Sequence, residues 1–175
     1  MSTSTKSIHN LATAQTTLNT PLGAMLLVRT EKGLAGAWFE GQKDHPGTLT
    51  APQHTTDALL MKAASQLSEY FNGERTEFDL PLDLHGTEFQ CGVWRALLKI
   101  SSGKTKSYGD IARAVNSPQG VRAVGSAVGK NPLSIIVPCH RVMGSDGSLT
   151  GYAGGLERKR ALLKLEGVTV LGALL

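Results

Sequence analysis

Only two cysteines occur in 175 residues, Cys91 and Cys139. That excludes a disulfide framework of the kind small secreted domains rely on, and it favours two free thiols, each needing its own explanation. No segment approaches the roughly 18 continuous apolar residues of a membrane span. The polar start, "MSTSTKSIHNLATAQTTLNT", has no apolar run long enough for a secretory signal. The chain is therefore expected to stay where it is made, in the cytoplasm, with no membrane partner. Internal repeats are absent, as is low-complexity sequence beyond the Ser/Thr-rich start. The first half contains no cysteine, and His9, His45, His54 and His85 lack any recognisable ligand spacing, so no metal and no cofactor are expected.

What is present reads as an ordinary folded protein: 41% hydrophobic and 18% charged residues. A net charge of +4 favours an anionic partner such as nucleic acid, although many basic proteins never bind one. Residues 1 to about 20 read as a loose arm. "LGAMLLVRTEKGLAGAWFE" (22–40) holds two apolar runs around "TEKG" and predicts a β-hairpin. Leu59, Leu60, Ala63, Leu67, Tyr70 and Phe71 repeat at helical spacing and stop at Asn72-Gly73. "TEFDLPLDLHG" alternates like a strand, with Pro81 pointing to an edge or a linker. Residues 1–85 thus form an N-terminal α+β lobe with a small antiparallel sheet.

The character changes at Gly86, and residues 86–175 read as a mostly helical C-terminal domain. "TEFQCGVWRALLKI" opens with a capping box, Thr87 and Gln90, and lines up Phe89, Val93, Trp94, Leu97 and Leu98 on one face. Cys91 lies among those apolar residues and is assigned to packing. "KSYGDIARAV", the connection "NSPQG" and "VRAVGSAVGKN" predict two short helices across a tight turn, a helix-turn-helix pattern. The second helix is poor on propensity, with Ala123, Gly125, Ser126, Ala127 and Gly129. It fits close packing against a neighbour, or a helix thin enough for a narrow groove with Arg122 at its start. "LSIIV" (133–137) reads as a short strand ended by Pro138, which sets Cys139 just beyond a strand end with His140 beside it. A thiol reacts as a thiolate and needs a base, and the base needs a third group to orient it. On spacing alone, an inert cysteine is the somewhat better reading of Cys139.

"NPLSIIVPCHRVMGSDGSLTGYAGG" resembles the active-site signature of the O6-alkylguanine-DNA alkyltransferases, a core of Pro-Cys-His-Arg and an aliphatic residue. "SYGDIARAV" and "VRAVGSAVGKNP" precede it and "ERKRALLKLEG" follows, in the family's order, from about residue 86 to 167. The resemblance implies that Cys139 takes the alkyl group from O6 of a damaged guanine, and O4-alkylthymine is expected to follow. His140 takes the thiol proton through a water, Glu166 supports His140, and Tyr108 donates to the leaving guanine. Asn131 supports the cysteine from the hinge beside the helix. The backbone carbonyls of Cys139 and Val142 accept from the base, while Tyr152 and Ala153 wall its pocket, with Ser134 placed among the contacts. Arg122 fills the stack left by the flipped nucleotide, and Ala123, Gly125, Ala127 and Val128 bring the helix into the minor groove of double-stranded DNA.

Such a protein acts once per molecule, as a monomer, with cooperative binding along DNA left open. Two departures stand out. Ala153 replaces the serine of some relatives, and Gly129 replaces a basic residue. The rival readings are an alkyltransferase-like protein that binds damage without transfer, a Cys–His hydrolase, and a plain helix-turn-helix regulator. The presence of Cys139 weighs against the first.

Overall fold

The structure, a computed structural model, describes residues 8–169. The chain divides into two compact units, Met1–Gly86 and Thr87–Leu175. No helix among the described residues is long and apolar enough to cross a membrane. Part of the presumed N-terminal arm and all but the first residue of the C-terminal "TVLGALL" lie outside the described residues.

In the first unit, β1 (Ala14–Thr20), β2 (Gly23–Arg29) and β3 (Leu34–Phe39) form an antiparallel sheet in that order. The hairpin expected around "TEKG" is β2–β3. The loose-arm reading of residues 1–20 is corrected, because residues 14–20 pair with β2 along their whole length. Polar composition concealed that strand. Its threonines suit a pleated strand, and buried Gln15 is satisfied by donating to the Leu49 and Ala51 carbonyls at 3.0 and 2.7 Å.

The alternation of β2 and β3 buries both faces of the sheet. Leu26, Val28 and Trp38 join Ile8, Ala35 and Leu49 in one cluster, while Met25, Leu27, Ala37 and Phe39 are also fully covered. Helix α1 (Ala58–Phe71) buries Leu60, Ala63, Leu67 and Tyr70, as its spacing predicts. Asp57 caps its start, accepting from the Leu60 N–H and pairing with Arg29.

The expected strand at 76–86 is reduced to a single bridge between Leu34 and Leu82. Leu34 N donates to Pro81 O and Asp83 N to Leu34 O, both at 2.8 Å. The segment runs so close to the hairpin that a Cβ at Gly33 would lie 2.6 Å from the Pro81 oxygen. Proline ends the ladder there, because it has no N–H to donate.

The second unit contains α2 (Glu88–Leu97), β4 (Lys106–Ser107), α3 (Tyr108–Ala114), α4 (Val121–Gly129), a 3-10 turn (Cys139–Arg141), β5 (Val142–Met143) and α5 (Leu156–Leu165). Both expected capping boxes form, Thr87 with Gln90 and Ser107 with Asp110. Cys91 is buried among core side chains and forms no disulfide. Phe89 and Leu98, expected on the apolar face of α2, are 36% and 42% exposed, so the covered stripe is Cys91, Val93, Trp94 and Leu97.

"LSIIV" is not a strand. Val137 N donates to Leu133 O across a turn, and Ile135 has a φ of 74°. A β-branched residue in the left-handed region costs about 1–3 kcal/mol, which β-propensity alone could never have suggested. Parallel pairing of β4 with β5, Lys106 with Val142 and Ser107 with Met143, brings the start of α3 beside the residues that follow the 3-10 turn.

Trp94 of α2, fully buried, donates its indole N–H to the Ala127 carbonyl of α4 at 2.8 Å. Trp94→Phe removes that bond and part of the ring volume and is expected to destabilise the protein by about 1–3 kcal/mol. Urea unfolding of both proteins measures it; an unchanged midpoint would deny the bond any part in holding α4.

Candidate active site

Cys139 opens the 3-10 turn and is 5% exposed. Asn131 holds the segment around it. Its side-chain N–H group donates to the Cys139 Sγ at 3.1 Å and to the Val137 carbonyl at 2.8 Å, while its Oδ1 accepts from Leu133 N at 2.9 Å. One buried amide thus spans Leu133 to Cys139, which lets the turn persist despite the left-handed Ile135. Desolvation raises the Cys139 pKa, so at rest the group is a thiol. The Asn131 hydrogen bond, the positive charge of Lys159 and backbone N–H groups of Cys139 and His140 act the other way and favour the thiolate.

The turn resolves the problem of adjacent side chains on an extended backbone, because residues 139–141 are not extended. His140, fully buried, donates from Nε2 to Glu166 Oε2 at 2.7 Å. Its proton therefore sits on Nε2, and Nδ1 keeps a free lone pair with no protein hydrogen-bond partner. Burial lowers the His140 pKa from its ordinary value, and the neighbouring Glu166 only partly opposes this. A neutral imidazole next to a neutral thiol is an acid–base pair waiting for the proton to move.

Glu166 serves two partners. Arg141 clamps it with Nε to Oε1 at 2.8 Å and Nη2 to Oε2 at 2.9 Å, and Nη1 also donates to the Ile100 carbonyl. The Glu166 carboxylate is 2% exposed, so this buried charge is compensated by a bidentate guanidinium. Arg141 was not singled out in the sequence, although it stands inside the Pro-Cys-His-Arg core. Lys159 was also missed. Fully buried, it donates from Nζ to the carbonyls of Val142 at 2.7 Å and Thr150 at 3.1 Å, and burial pulls its pKa down to about 8. The legible signal was a lysine at 159 on the apolar stripe that continues through Leu162 and Leu163.

The remaining expected residues fall into two groups. Tyr108, Ser134, Val142, Tyr152 and Ala153 all lie within the second unit, Ser134 and Val142 buried and the others half-buried. The Tyr108 ring lies 3.9 Å from where a Cβ on Gly125 would stand, and its hydroxyl meets Thr150 Oγ1 at 2.9 Å. The Tyr152 ring folds over Gly154, where a Cβ would be 2.6 Å away, so glycine is required there. Burial and the nearby Cys139 raise the Tyr152 hydroxyl well above its ordinary pKa, with Ser134 working against them.

On α4, Arg122, Ala123 and Ser126 are exposed and Gly125 half-covered, but Ala127 and Val128 are 2% and 5% exposed and face inward. Ala127 and Val128, expected among the DNA contacts, are covered by the protein itself, and the Ala127 carbonyl accepts from Trp94. The open side of α4 is formed by small residues, and a Cβ at Gly129 would meet nothing within 4 Å. No group of three or more potential metal ligands occurs among the described residues.

Residues 88–168 match the DNA binding domain of the 6-O-methylguanine DNA methyltransferase family, and residues 14–84 match that family's ribonuclease-like domain. The chain belongs to this family. A methylated-DNA–protein-cysteine methyltransferase of Mycobacterium bovis is 46% identical over 159 residues, covering 86% of this chain and 90% of the relative. One from Methanosarcina barkeri is 46% identical over 150 residues, with 85% and 94% covered. Among solved structures, Mycobacterium tuberculosis O6-methylguanine methyltransferase aligns at 45% identity with a TM-score of 0.81, covering 92% of this chain and 96% of its own. A crystal structure of the same organism's OGT in complex with DNA aligns at 46% identity and a TM-score of 0.80, with 87% and 92% covered.

Two outcomes follow from the buried cluster. Glu166→Gln strips Arg141 of its counter-charge and is expected to destabilise the protein by about 3–5 kcal/mol, read by urea unfolding. For His140 the folded pKa lies below the unfolded one, so the unfolded chain binds the extra proton. Stability should therefore be intact above pH ~6.5 and fall as the pH drops toward the folded value. Unfolding at a series of pH values, with His140→Gln flattening the low-pH slope, checks the sign.

Proposed function

We propose that the protein repairs DNA by moving the alkyl group of O6-alkylguanine irreversibly onto Cys139, once per molecule. The observation that carries this reading is a buried thiol held by Asn131 beside a neutral histidine whose other nitrogen is fixed by Glu166.

The Cys139 proton passes through a water to His140 Nδ1, the one imidazole nitrogen without a protein partner. The Sγ–carbon bond forms as the carbon–O6 bond breaks in line. The electron pair stays on guanine, which takes a proton from the Tyr108 hydroxyl, and Tyr108 is reprotonated from the His140 side through solvent. Glu166 stabilises the transient imidazolium, and Arg141 keeps that carboxylate ionised. Thioether formation cannot be undone by thiol exchange, so turnover ends there.

A base in a duplex must be flipped out to reach a thiol that is 5% exposed. In this reading residues 87–175 carry both DNA binding and transfer. Double-stranded DNA meets α4 from the minor-groove side through Arg122, Ala123 and Gly125, with Arg122 entering the gap in the stack. The outward small residues support it, since Gly129 has open space rather than a close neighbour. The carbonyls of Cys139 and Val142, with Ser134, Tyr152 and Ala153, form the base pocket. A monomer suffices for this chemistry, and it needs neither metal nor cofactor. The alternative, a damage-binding protein without transfer, leaves the Asn131–Cys139 bond and the His140–Glu166 pair without a purpose.

Mixing the protein with excess duplex bearing one O6-methylguanine should add a single methyl, mapped to Cys139 and saturating at one per chain. Cys139→Ala should take up none yet still retard the damaged duplex in a gel. Unmodified wild-type protein that retards the duplex would instead support the damage-binding reading. Arg122→Ala should slow transfer at limiting DNA by ~10-fold or more through weaker base extrusion, with little change in folding stability.

A further inference from the structure

Thr150 has no part in the chemistry described so far and Lys159 enters it only through its charge near Cys139, yet the two converge on Tyr108. Thr150 Oγ1 donates to the Tyr108 hydroxyl oxygen at 2.9 Å. The backbone of that same threonine is tied down by Lys159, whose buried ammonium donates to the Thr150 carbonyl at 3.1 Å and to the Val142 carbonyl at 2.7 Å. Val142 in turn pairs with Lys106 in β5–β4, one residue before the Ser107 cap of α3. A closed circuit therefore runs from Lys159 through Thr150 to Tyr108, and back through β4 and β5.

We propose that Thr150 is a positioning residue that commits the Tyr108 proton to the substrate base, and that Lys159 is the anchor holding it in place. The inference rests on alkyl transfer to Cys139 as proposed above.

The physical reason is hydrogen-bond direction. A phenol is a stronger acid than an alkyl hydroxyl, so when a base offers an acceptor the phenolic proton turns to it. The threonine hydroxyl then donates to the phenolic oxygen. As the carbon–O6 bond breaks and Tyr108 gives up its proton, negative charge grows on that oxygen. A donor already aimed there stabilises it without reorganisation. An anchor on the threonine backbone is needed because residues 144–155 are rich in glycine, with positive φ at Gly147 and Gly155. A buried lysine joining Val142, just ahead of that loop, to Thr150 within it pins the stretch between them. It accepts desolvation to do so, and among the described residues its ammonium donates to these two carbonyls.

The test is single-turnover methyl transfer from a duplex with one O6-methylguanine, measured across DNA concentrations to separate the maximal rate from the apparent Kd. Wild type, Thr150→Val, Thr150→Ser, Tyr108→Phe and the Tyr108→Phe/Thr150→Val double variant are compared. Thr150→Val, which keeps the side-chain shape, should lower the maximal rate by ~10-fold and leave the apparent Kd within about twofold. Thr150→Ser retains the hydroxyl and should restore most of the rate. The double variant should be no slower than Tyr108→Phe, since Thr150 acts only through Tyr108.

A wild-type rate in Thr150→Val, an equal loss in Thr150→Ser, or additive losses in the double variant would each overturn the proposal. Should Thr150→Val not fold, Thr150→Ser must keep most of the wild-type maximal rate while Tyr108→Phe lowers it; a slow Thr150→Ser or an unslowed Tyr108→Phe overturns the proposal. Wild-type protein that takes up no methyl on Cys139 defeats the underlying reading, a result distinct from every one of these.

Discussion

A single carboxylate sets the order of this site. Glu166, at the C-terminal end of α5, receives His140 and Arg141 together, two consecutive residues of a 3-10 turn. Because both partners come from the turn that begins at Cys139, fixing Glu166 fixes the orientation of the thiol's neighbours. The three groups are buried, so the ion pair is poorly screened, and losing either charge would strand the other in a medium that penalises it. The arrangement also settles the proton inventory. Arg141 holds Glu166 ionised, Glu166 holds the imidazole proton on Nε2, and burial keeps that imidazole neutral with Nδ1 free.

The second constraint is the path of the chain into the turn. Asn131, just beyond α4, spans Leu133, Val137 and Cys139 with one side chain and tolerates a left-handed isoleucine on the way. Such strain persists where surrounding bonds over-determine the backbone, and here it delivers the thiol directly to the donor that favours its ionised form. Asn131 also ties this turn to the end of the helix proposed to enter the groove, so the placement of α4 and the placement of Cys139 are not independent. Trp94 completes that link from below by holding the Ala127 carbonyl.

The charge distribution agrees with the division of labour. Of the 18 Lys and Arg and 14 Asp and Glu in the chain, residues 1–86 carry six basic and nine acidic side chains, and residues 87–175 carry twelve and five. The arithmetic leaves the first unit at −3 and the second at +7, which sum to the net +4 of the whole. A basic second unit suits a polyanionic partner, whereas the first unit's sheet, buried on both faces, reads as a structural body.

Local signals determined a good deal of this by themselves. Capping boxes at Thr87 and Ser107, the 3.6-residue stripe of α1, the turn at residues 30–33 and the order of blocks around Pro-Cys-His-Arg are all short-range patterns, and the elements they specify are those the chain adopts. Tertiary structure decided the rest. Residues 14–20 became a strand because β2 offered an edge, against their polar composition. Residues 133–137 failed to become one because Asn131 bends them. Which side of α4 is open, with Arg122 and Ala123 outward and Ala127 and Val128 inward, depends on where α2 packs. The roles of Arg141, Lys159 and Thr150 are partnerships with residues 25, 17 and 42 positions away, Glu166, Val142 and Tyr108. No periodicity encodes a bond between groups so far apart in the chain. A sequence can state which side chains are available for chemistry, but a buried hydrogen bond belongs to two segments at once, and only folding brings them together.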